Sequence, residues 1–133
     1  CEVAVKKRDK LVINGNDYKT KDGTPIRDFI HVLDLAEIHI LVAKSLMKFG
    51  ENEIYNCGYG VGFSIMDVIN EMNSIINFDL PIKIGKRREG DAVYSVADNQ
   101  KFVKKFNWKP KYNNLKIILE SSLEWEKTQK KYE

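Results

Sequence analysis

The stretch from Gly23 to Phe49 constrains the fold of this chain most, because it contains a helical segment with very little polar surface. Between positions 34 and 49, the polar side is one narrow strip of Glu37, Lys44 and Lys48, and apolar residues take most of the circumference. A helix on the surface of a globular protein usually has a single apolar stripe. We therefore expect this helix to be covered on several sides.

The other segments predict an alternation of short strands and helices. Asp34 is predicted to cap the apolar helix and Gly50 to end it. Alternating helices and strands favour an α/β or α+β architecture. The strands are too few for the parallel sheet that a crossover helix followed by a strand requires. Strands or extended segments are predicted at 11–13, 26–32, 53–57, 82–84 and 94–97. The end of a helix is predicted at 1–8, and further helices at 65–76, with Ser64 and Asp67 as a capping box, and after Asp98. A last helix is predicted at 115–130, with Leu115, Ile118, Leu119 and Trp125 in the core.

Size, charge and cysteine content exclude several classes of protein. The 133 residues make one domain, and the net charge of +3 is spread too widely for a nucleic-acid-binding surface. Cys1 and Cys57 form no disulfide framework, so we expect a reducing, cytoplasmic location. The sequence has no membrane-spanning run and no signal-peptide pattern. Because the chain begins with Cys, a processed terminus and a fragment are both open, and we expect a fragment.

Three conspicuous patterns have ordinary structural interpretations. The glycines at 58–62 are spaced G-x-G-x-G, whereas the dinucleotide fingerprint is G-x-G-x-x-G, so they predict a tight turn with close chain approach. His31 and His39 match no metal-binding spacing, and His31 is expected to be buried and hydrogen-bonded. Cys57 is interpreted as core filler.

Two arginines are the better candidates for a binding site. Arg27 and Arg88 each stand in or next to a loop and beside an acid, Asp28 in one case and Glu89 and Asp91 in the other. An arginine fork binds phosphate oxygens bidentately and stays charged, so two converging arginines would suit a diphosphate. The alternative is a pair of surface salt bridges, which is the commoner outcome. The spacing alone leaves both open.

A series of motifs resembles the C-terminal part of the UDP-glucose 4-epimerase family, within the extended short-chain dehydrogenase/reductases. The motif R-D-F-I-H-V-x-D-L-A is shared with related nucleotide-sugar epimerases and dehydratases, and the preceding G-N-D-Y-x-T-x-D-G-T is more specific. The resemblance covers essentially the whole chain. The motifs lie at 15–24, 27–36, 55–58, 87–91, 97–98 and 108–110.

The resemblance implies an NAD-dependent isomerase that interconverts UDP-galactose and UDP-glucose through a 4-keto intermediate. It implies one substrate-binding region over 1–133, in which 34–57 returns to a Rossmann sheet whose main part is absent from this sequence. The sequence has neither the NAD fingerprint nor a catalytic Tyr-x-x-x-Lys preceded by a Rossmann half. We therefore assign no catalytic, cofactor-binding or metal-binding residue here, and expect the chain to be inactive alone.

The resemblance also assigns substrate-binding roles by motif position. Arg27 and Arg88 resemble the arginines that hold the UDP diphosphate, and Asp91 resembles the acid at the ribose. Ile65 lies where the family packs an aliphatic residue near the nucleotide. The segment 12–14 matches the strand beneath the uracil, although Asn14 stands where the family often has an aromatic residue.

Ser95 matches the position that limits the size of the sugar in this family. A small side chain there resembles members that also accept N-acetylated hexoses. As the partner we expect a UDP-sugar, with no nucleic acid and no membrane, and a homodimer for the full-length protein. Two alternatives stay open: another NAD-dependent nucleotide-sugar epimerase or dehydratase, and a truncated, non-catalytic UDP-sugar-binding remnant.

Overall fold

The computed structural model describes residues 1–50 and 52–129, which form a mixed α/β structure of short strands and four helices. The α/β class predicted from the alternation is therefore confirmed. The strands are β1 (Leu11–Asn14), β2 (Ile26–Arg27), β3 (Phe63–Ser64), β4 (Ile82–Gly85) and β5 (Tyr94–Ser95). The helices are α1 (Val32–Phe49), α2 (Ile65–Ile76), α3 (Gln100–Phe106) and α4 (Leu115–Gln129).

The strands form two small sheets. In the first, β1 and β4 are parallel, and Asn14 pairs with Gly85 at the carboxyl end of both strands. In the second, β2 lies between an antiparallel β3 and a parallel β5, and Arg27 pairs with Ser95. Each sheet thus ends at a predicted site residue, Asn14 in one and Arg27 in the other.

Two apolar clusters hold these elements together. The first lies between α2 and α4, which pack against each other along their lengths. The second joins α1, α3 and the start of α4 through large aromatic residues. The buried residues of the first are Val3, Val5, Met72, Leu80, Leu119 and Leu123, and those of the second are Ile38, Tyr59, Phe102, Trp108 and Ile118.

The start of α1 corrects the predicted cap. Strand β2 ends at Arg27, so the extended segment predicted to Val32 is shorter, and the helix begins at Val32 with His31 as its N-cap. His31 is buried, as predicted, and its Nδ1 accepts from the Leu33 backbone N–H at 3.1 Å. The predicted cap, Asp34, is fully buried in the first turn. Gly50 ends the helix in the left-handed conformation, as predicted.

Most of the apolar surface of α1 is uncovered within the described residues. Only Asp34 and Ile38 are buried in this helix, and Met47 is 88% exposed. The strand predicted at 53–57 is also wrong for this chain, because those residues pair with no other strand among those described. Ile54 is 87% exposed, and Cys57 is exposed and not core filler. Within the described residues, α1 therefore lacks the apolar surface that would cover it, and the segment 53–57 lacks a neighbouring strand.

Three smaller predictions also need correction. Residues 1–8 form hydrogen-bonded turns and not a helix, because the left-handed Lys6 (φ 62°) interrupts the chain after one turn. Asp98 accepts from the Gln100 N–H, but the N-cap of α3 is Asn99. Trp125 was expected in the core and is 67% exposed on the outer face of α4.

Candidate functional site

Arg27 and Asp91 form the centre of the candidate site. The Arg27 Nη2 donates to Asp91 Oδ1 at 2.5 Å, and Nη1 donates to the Ile26 carbonyl at 2.7 Å. About a quarter of each of the two charged side chains is exposed (25% and 27%), so solvent screens this pair only partly. The sequence neighbour Asp28 is therefore not the partner of Arg27. The acid comes instead from the loop after β4.

The second oxygen of Asp91 is held by Tyr18. The Tyr18 hydroxyl lies 3.3 Å from Asp91 Oδ2 and 3.2 Å from the Asn14 carbonyl oxygen. Tyr18 is only 4% exposed. The loop that carries Asp91 is thereby tied to the carboxyl end of β1.

Arg88 extends the network along the same edge of the sheet. With its amide oxygen facing Arg88, Asn14 accepts from Nε at 3.1 Å and from Nη2 at 3.2 Å. The Arg88 side chain is otherwise exposed to solvent. Asn14 and Arg88 line a cavity of about 260 Å³ together with residues of the first turn and of β1. The carboxyl ends of parallel strands are a common location for ligand sites in α/β proteins.

Asp28 has a structural function, because it accepts three backbone N–H groups. Its oxygens lie 3.1 Å from the Tyr59 nitrogen, 2.9 Å from the Gly60 nitrogen and 3.3 Å from the Ala97 nitrogen. A Cβ at Gly58 would lie 2.4 Å from Asp28 Oδ2. Residues 58–62 therefore form a tight turn around a protein carboxylate, as predicted, and not a loop open to a dinucleotide.

The remaining two predicted site residues lie on either side of β2. Ser95 is the register partner of Arg27 in β5 and is exposed. Ile65 is the first residue of α2, is half-buried, and donates its backbone N–H to the Pro25 carbonyl at 3.2 Å. The structure thus brings Asn14, Arg27, Arg88 and Asp91 into one network, with Ser95 beside it. Ile65 adjoins the strand that carries Arg27.

Tyr18 and Arg87 are the residues that the sequence analysis missed. The Arg87 guanidinium carbon lies 3.9 Å above the centre of the Tyr18 ring, a distance suited to a cation–π interaction. A Cβ at Gly15 (φ 89°) would lie 2.4 Å from Arg87 Cγ and 2.9 Å from Tyr18 Cε2. The Gly15-Asn16-Asp17-Tyr18 motif was the available signal, since its glycine is required for this close packing.

One Tyr-x-x-x-Lys spacing occurs in the sequence, at Tyr112 and Lys116. The structure separates these residues, because Tyr112 precedes α4 and its ring stacks on His31 with centroids 4.5 Å apart. The Lys116 amine lies 3.9 Å from Glu120 within the helix. The pair therefore lacks the shared helical turn that would align a hydroxyl with an amine.

Other surfaces of the described residues fit an anionic ligand less well. A larger cavity of about 870 Å³ lies between α2 and the start of α4, and its charged lining is Asp67, Glu71 and Lys116, with two acids and one base. Within 1–50 and 52–129, no cluster of three His, Cys, Asp or Glu residues could hold a metal ion. None of the helices in the same ranges is both long enough and apolar enough to cross a membrane.

The fold and the motifs identify the class of protein. The chain belongs to the NAD dependent epimerase/dehydratase family, whose model matches residues 3–58. A UDP-glucose 4-epimerase of Halalkalibacterium halodurans is 38% identical over 126 residues, which are 95% of this chain and 38% of that protein. The resemblance drawn from the sequence is thereby confirmed.

Solved structures agree with this family. The UDP-glucose 4-epimerase of Stenotrophomonas maltophila, with bound NAD and formylated UDP-arabinopyranose, superposes with a TM-score of 0.91 at 29% identity, over 99% of this chain and 39% of that one. The UDP-Glc/GlcNAc 4-epimerase of Campylobacter jejuni superposes with a TM-score of 0.81 at 44% identity, over 96% and 38%. The chain thus spans a little over a third of the length of the epimerases it matches.

Proposed function

We propose that the chain is the UDP-hexose-binding part of a UDP-glucose 4-epimerase, an isomerase that interconverts UDP-galactose and UDP-glucose through a 4-keto intermediate. The observation that supports this most strongly is the single network of Asn14, Arg27, Arg88 and Asp91 at the ends of β1 and β2. The Tyr18 hydroxyl links the Arg27–Asp91 pair to Asn14, whose side chain accepts from Arg88. Asn14 and Arg88 also line a cavity. Similarity to a UDP-glucose 4-epimerase along 95% of the chain supports a nucleotide-sugar as its ligand.

The chemistry of these side chains suits a nucleoside diphosphate. Arg27 uses one N–H of each terminal nitrogen in the protein, so its remaining donors are available to phosphate oxygens. Arg88 supplies a second, more exposed guanidinium. Asp91 is the acceptor that we propose for a ribose hydroxyl, and Asn14 the group beneath the uracil. Two arginines and one carboxylate leave this cluster with a net positive charge, which favours an anion.

NAD is the cofactor that we propose for the longer protein, but the residues described here do not fit it. The glycine turn at 58–62 is filled by the Asp28 carboxylate, and Gly60 is the only one of its three glycines with a positive φ. We therefore assign NAD to residues outside this sequence. The segment 34–57, with its uncovered apolar side chains, is the part that we propose packs against that Rossmann domain.

The first experiment separates binding from catalysis. The isolated chain, incubated with NAD and UDP-galactose, is expected to produce no UDP-glucose. Product formation by this chain alone would refute the proposal that it binds the substrate while catalysis requires residues outside this sequence. A full-length relative assayed in the same buffer provides the positive control.

The second experiment locates the nucleotide. Titration of UDP into the ¹⁵N-labelled chain should shift amide resonances around Asn14, Arg27, Arg88 and Asp91 and leave those of α3 unchanged. Shifts confined to residues that line the larger cavity between α2 and α4 would mean that the nucleotide binds there. Uridine without phosphate serves as the matched ligand and is expected to perturb Asn14 more than Arg27.

Ser95 is the residue that we propose admits N-acetylated sugars. It is small and exposed, and it lies opposite Arg27 in the sheet. The Campylobacter jejuni relative, named for both UDP-Glc and UDP-GlcNAc, supports a permissive pocket. Ser95→Tyr is expected to weaken binding of UDP-N-acetylglucosamine while affinity for UDP itself is retained. Equal losses for both ligands would contradict a role in sugar size.

A further inference from the structure

Tyr18 has more contacts with the candidate site than a packing residue requires. Its hydroxyl lies 3.2 Å from the Asn14 carbonyl and 3.3 Å from Asp91 Oδ2. Hydroxyl hydrogen bonds are usually about 2.7–2.8 Å long, so a single proton shared between two acceptors accounts for both distances. The side chain is 4% exposed, which leaves the hydroxyl little access to solvent. A phenylalanine would fill the same space but could not donate to the carboxylate.

Through Asp91, this hydroxyl constrains the guanidinium of Arg27. One carboxylate oxygen faces Tyr18 and the other accepts from Arg27 Nη2 at 2.5 Å. With both oxygens held, the carboxylate cannot rotate without losing a hydrogen bond. The Arg27 group is fixed at its other side by the Ile26 carbonyl. Its orientation therefore depends on the Tyr18 hydroxyl, although the two residues do not share a hydrogen bond.

The ring of Tyr18 is itself held in place. The Arg87 guanidinium covers one face at 3.9 Å, and its Nε lies 3.7 Å from Asp17. Gly15 leaves room for both side chains where any Cβ would collide with them. The hydroxyl is thus presented by a packed ring and not by a mobile side chain.

We propose that Tyr18 is a positioning residue, which orients the Asp91 carboxylate and through it the Arg27 guanidinium for an anionic ligand. That the ligand is a nucleoside diphosphate rests on the function proposed above. The orientation of Arg27 does not rest on it and can be measured without ligand. Preorganised donors bind an anion more tightly, because their side-chain freedom is already lost before binding.

The first measurement is the rotation rate of the Arg27 guanidinium in the unliganded, ¹⁵N-labelled chain. Tyr18→Phe is expected to speed this rotation by about two- to tenfold, the range that corresponds to the loss of one hydrogen bond. Tyr112→Phe is the matched control, since it removes a tyrosine hydroxyl that forms no hydrogen bond among the described residues. Arg27→Lys assigns the resonance. An unchanged rotation rate in Tyr18→Phe would overturn the proposal, whatever its affinity for UDP.

Asp91→Asn provides an independent route if Tyr18→Phe does not fold. It retains the shape of the side chain but replaces one acceptor oxygen with an NH₂ group, which cannot accept, and makes the other a neutral and weaker acceptor, so Arg27 should rotate faster here too. An unchanged rate in this variant would equally refute the proposal. With faster rotation, Tyr18→Phe is also expected to weaken UDP binding about two- to tenfold. If the unsubstituted chain binds no UDP, the proposed function fails, while the rotation rates still decide the role of Tyr18.

Discussion

At the scale of the residue, the buried carboxylate of Asp34 and the half-buried carboxylate of Asp28 hold loops of this protein in place. Asp34 accepts from the Tyr59 hydroxyl at 2.5 Å and from the backbone nitrogens of Lys111 and Tyr112 at 3.1 and 2.9 Å. Asp28 does the same for the turn at 58–62. A buried carboxylate is costly unless such donors surround it. Asp28 therefore fixes the turn at 58–62 and the segment at Ala97, and Asp34 fixes the segment that precedes α4.

Tyr59 makes the stability of the chain sensitive to high pH. Burial raises the pKa of its hydroxyl, and the hydrogen bond to Asp34 raises it further. Because the folded state holds this proton more tightly, the stabilisation is complete below the unfolded pKa of about 10 and is lost as the pH rises above it. The free energy of unfolding, measured in urea from pH 8 upwards, should fall more steeply for the natural chain than for Tyr59→Phe.

The exposed Tyr94 provides the control for this pH dependence. Tyr94→Phe is expected to keep the alkaline slope of the unsubstituted chain. Parallel curves for the natural chain and Tyr59→Phe would mean that the Tyr59 proton is not coupled to folding.

The sequence did not predict the hydrogen-bond partners of the charged residues Arg27 and Asp34. The resemblance pointed to Arg27, Arg88 and Asp91, but the charge pairing within the sequence suggested Asp28 as the neighbour of Arg27. Asp34 was expected to cap its own helix. Its donors lie at Lys111 and Tyr112, which local capping rules cannot identify because 77 and 78 residues separate them from the acid. Long-range hydrogen bonds leave no local pattern.

At the scale of the element, α2 connects the candidate site to the main apolar core. The Ser64 hydroxyl accepts from the Asp67 N–H at 3.0 Å, and the Asp67 carboxylate accepts from the Ser64 N–H at 2.9 Å, completing the predicted capping box. Ser64 also donates to Asp22 in the loop before β2. The helix start and the loop leading to Arg27 thus share one hydroxyl.

Ser64→Ala is therefore expected to destabilise the chain by more than the loss of a helix cap. A lost N-cap costs about 1 kcal/mol, and the lost hydrogen bond to Asp22 adds about 0.5–1.5 kcal/mol. Urea unfolding followed by circular dichroism measures the sum. Ser74→Ala is the control, because the exposed Ser74 hydroxyl donates only to the Asn70 carbonyl of its own helix. A loss in the free energy of unfolding for Ser64→Ala that is smaller than the loss of a helix cap alone would contradict the double role of this hydroxyl as cap and as donor to Asp22.

Helix α2 and the paired strands β1 and β4 were predicted well, whereas the strand predicted at 53–57 was not. Helix α2 follows from apolar residues at helical spacing and agrees with the prediction over 65–76. The segment 53–57 has the composition of a strand, but a strand exists only through its hydrogen-bonded neighbour. No such neighbour occurs within the described residues. Trp125 was assigned to the core because it is apolar and lies on α4. The outer face of α4 also carries apolar residues, and Trp125 is one of them.

At the scale of the whole molecule, the uncovered surface of α1 is the main departure from an ordinary domain. Several of its apolar side chains are exposed, and so is Ile54 in the segment after the helix. Extensive exposed apolar surface is usually an interaction surface. The exposed apolar residues are Val32, Leu33, Ile40, Leu46, Met47, Phe49 and Ile54.

The isolated chain is therefore expected to self-associate through α1. The double substitution Ile40→Glu with Met47→Glu should shift its sedimentation toward the monomer while leaving the urea midpoint nearly unchanged, since both side chains are exposed. Lys44→Glu, a charge change on the polar strip of the same helix, should not have this effect. A monomeric natural chain at high concentration would contradict the prediction. So would unfolding of the double variant.

The central claim is that the arginine network at the ends of β1 and β2 binds the diphosphate of UDP. Calorimetric titration of UDP into the natural chain and Arg88→Ala tests it most directly, with Lys86→Ala removing the same charge from the same loop. We predict that Arg88→Ala weakens binding by about ten- to a hundredfold, the value of a hydrogen bond to a charged group, and that Lys86→Ala has little effect. Equal affinities for the natural chain and Arg88→Ala, or no binding of UDP by the natural chain, would contradict the claim.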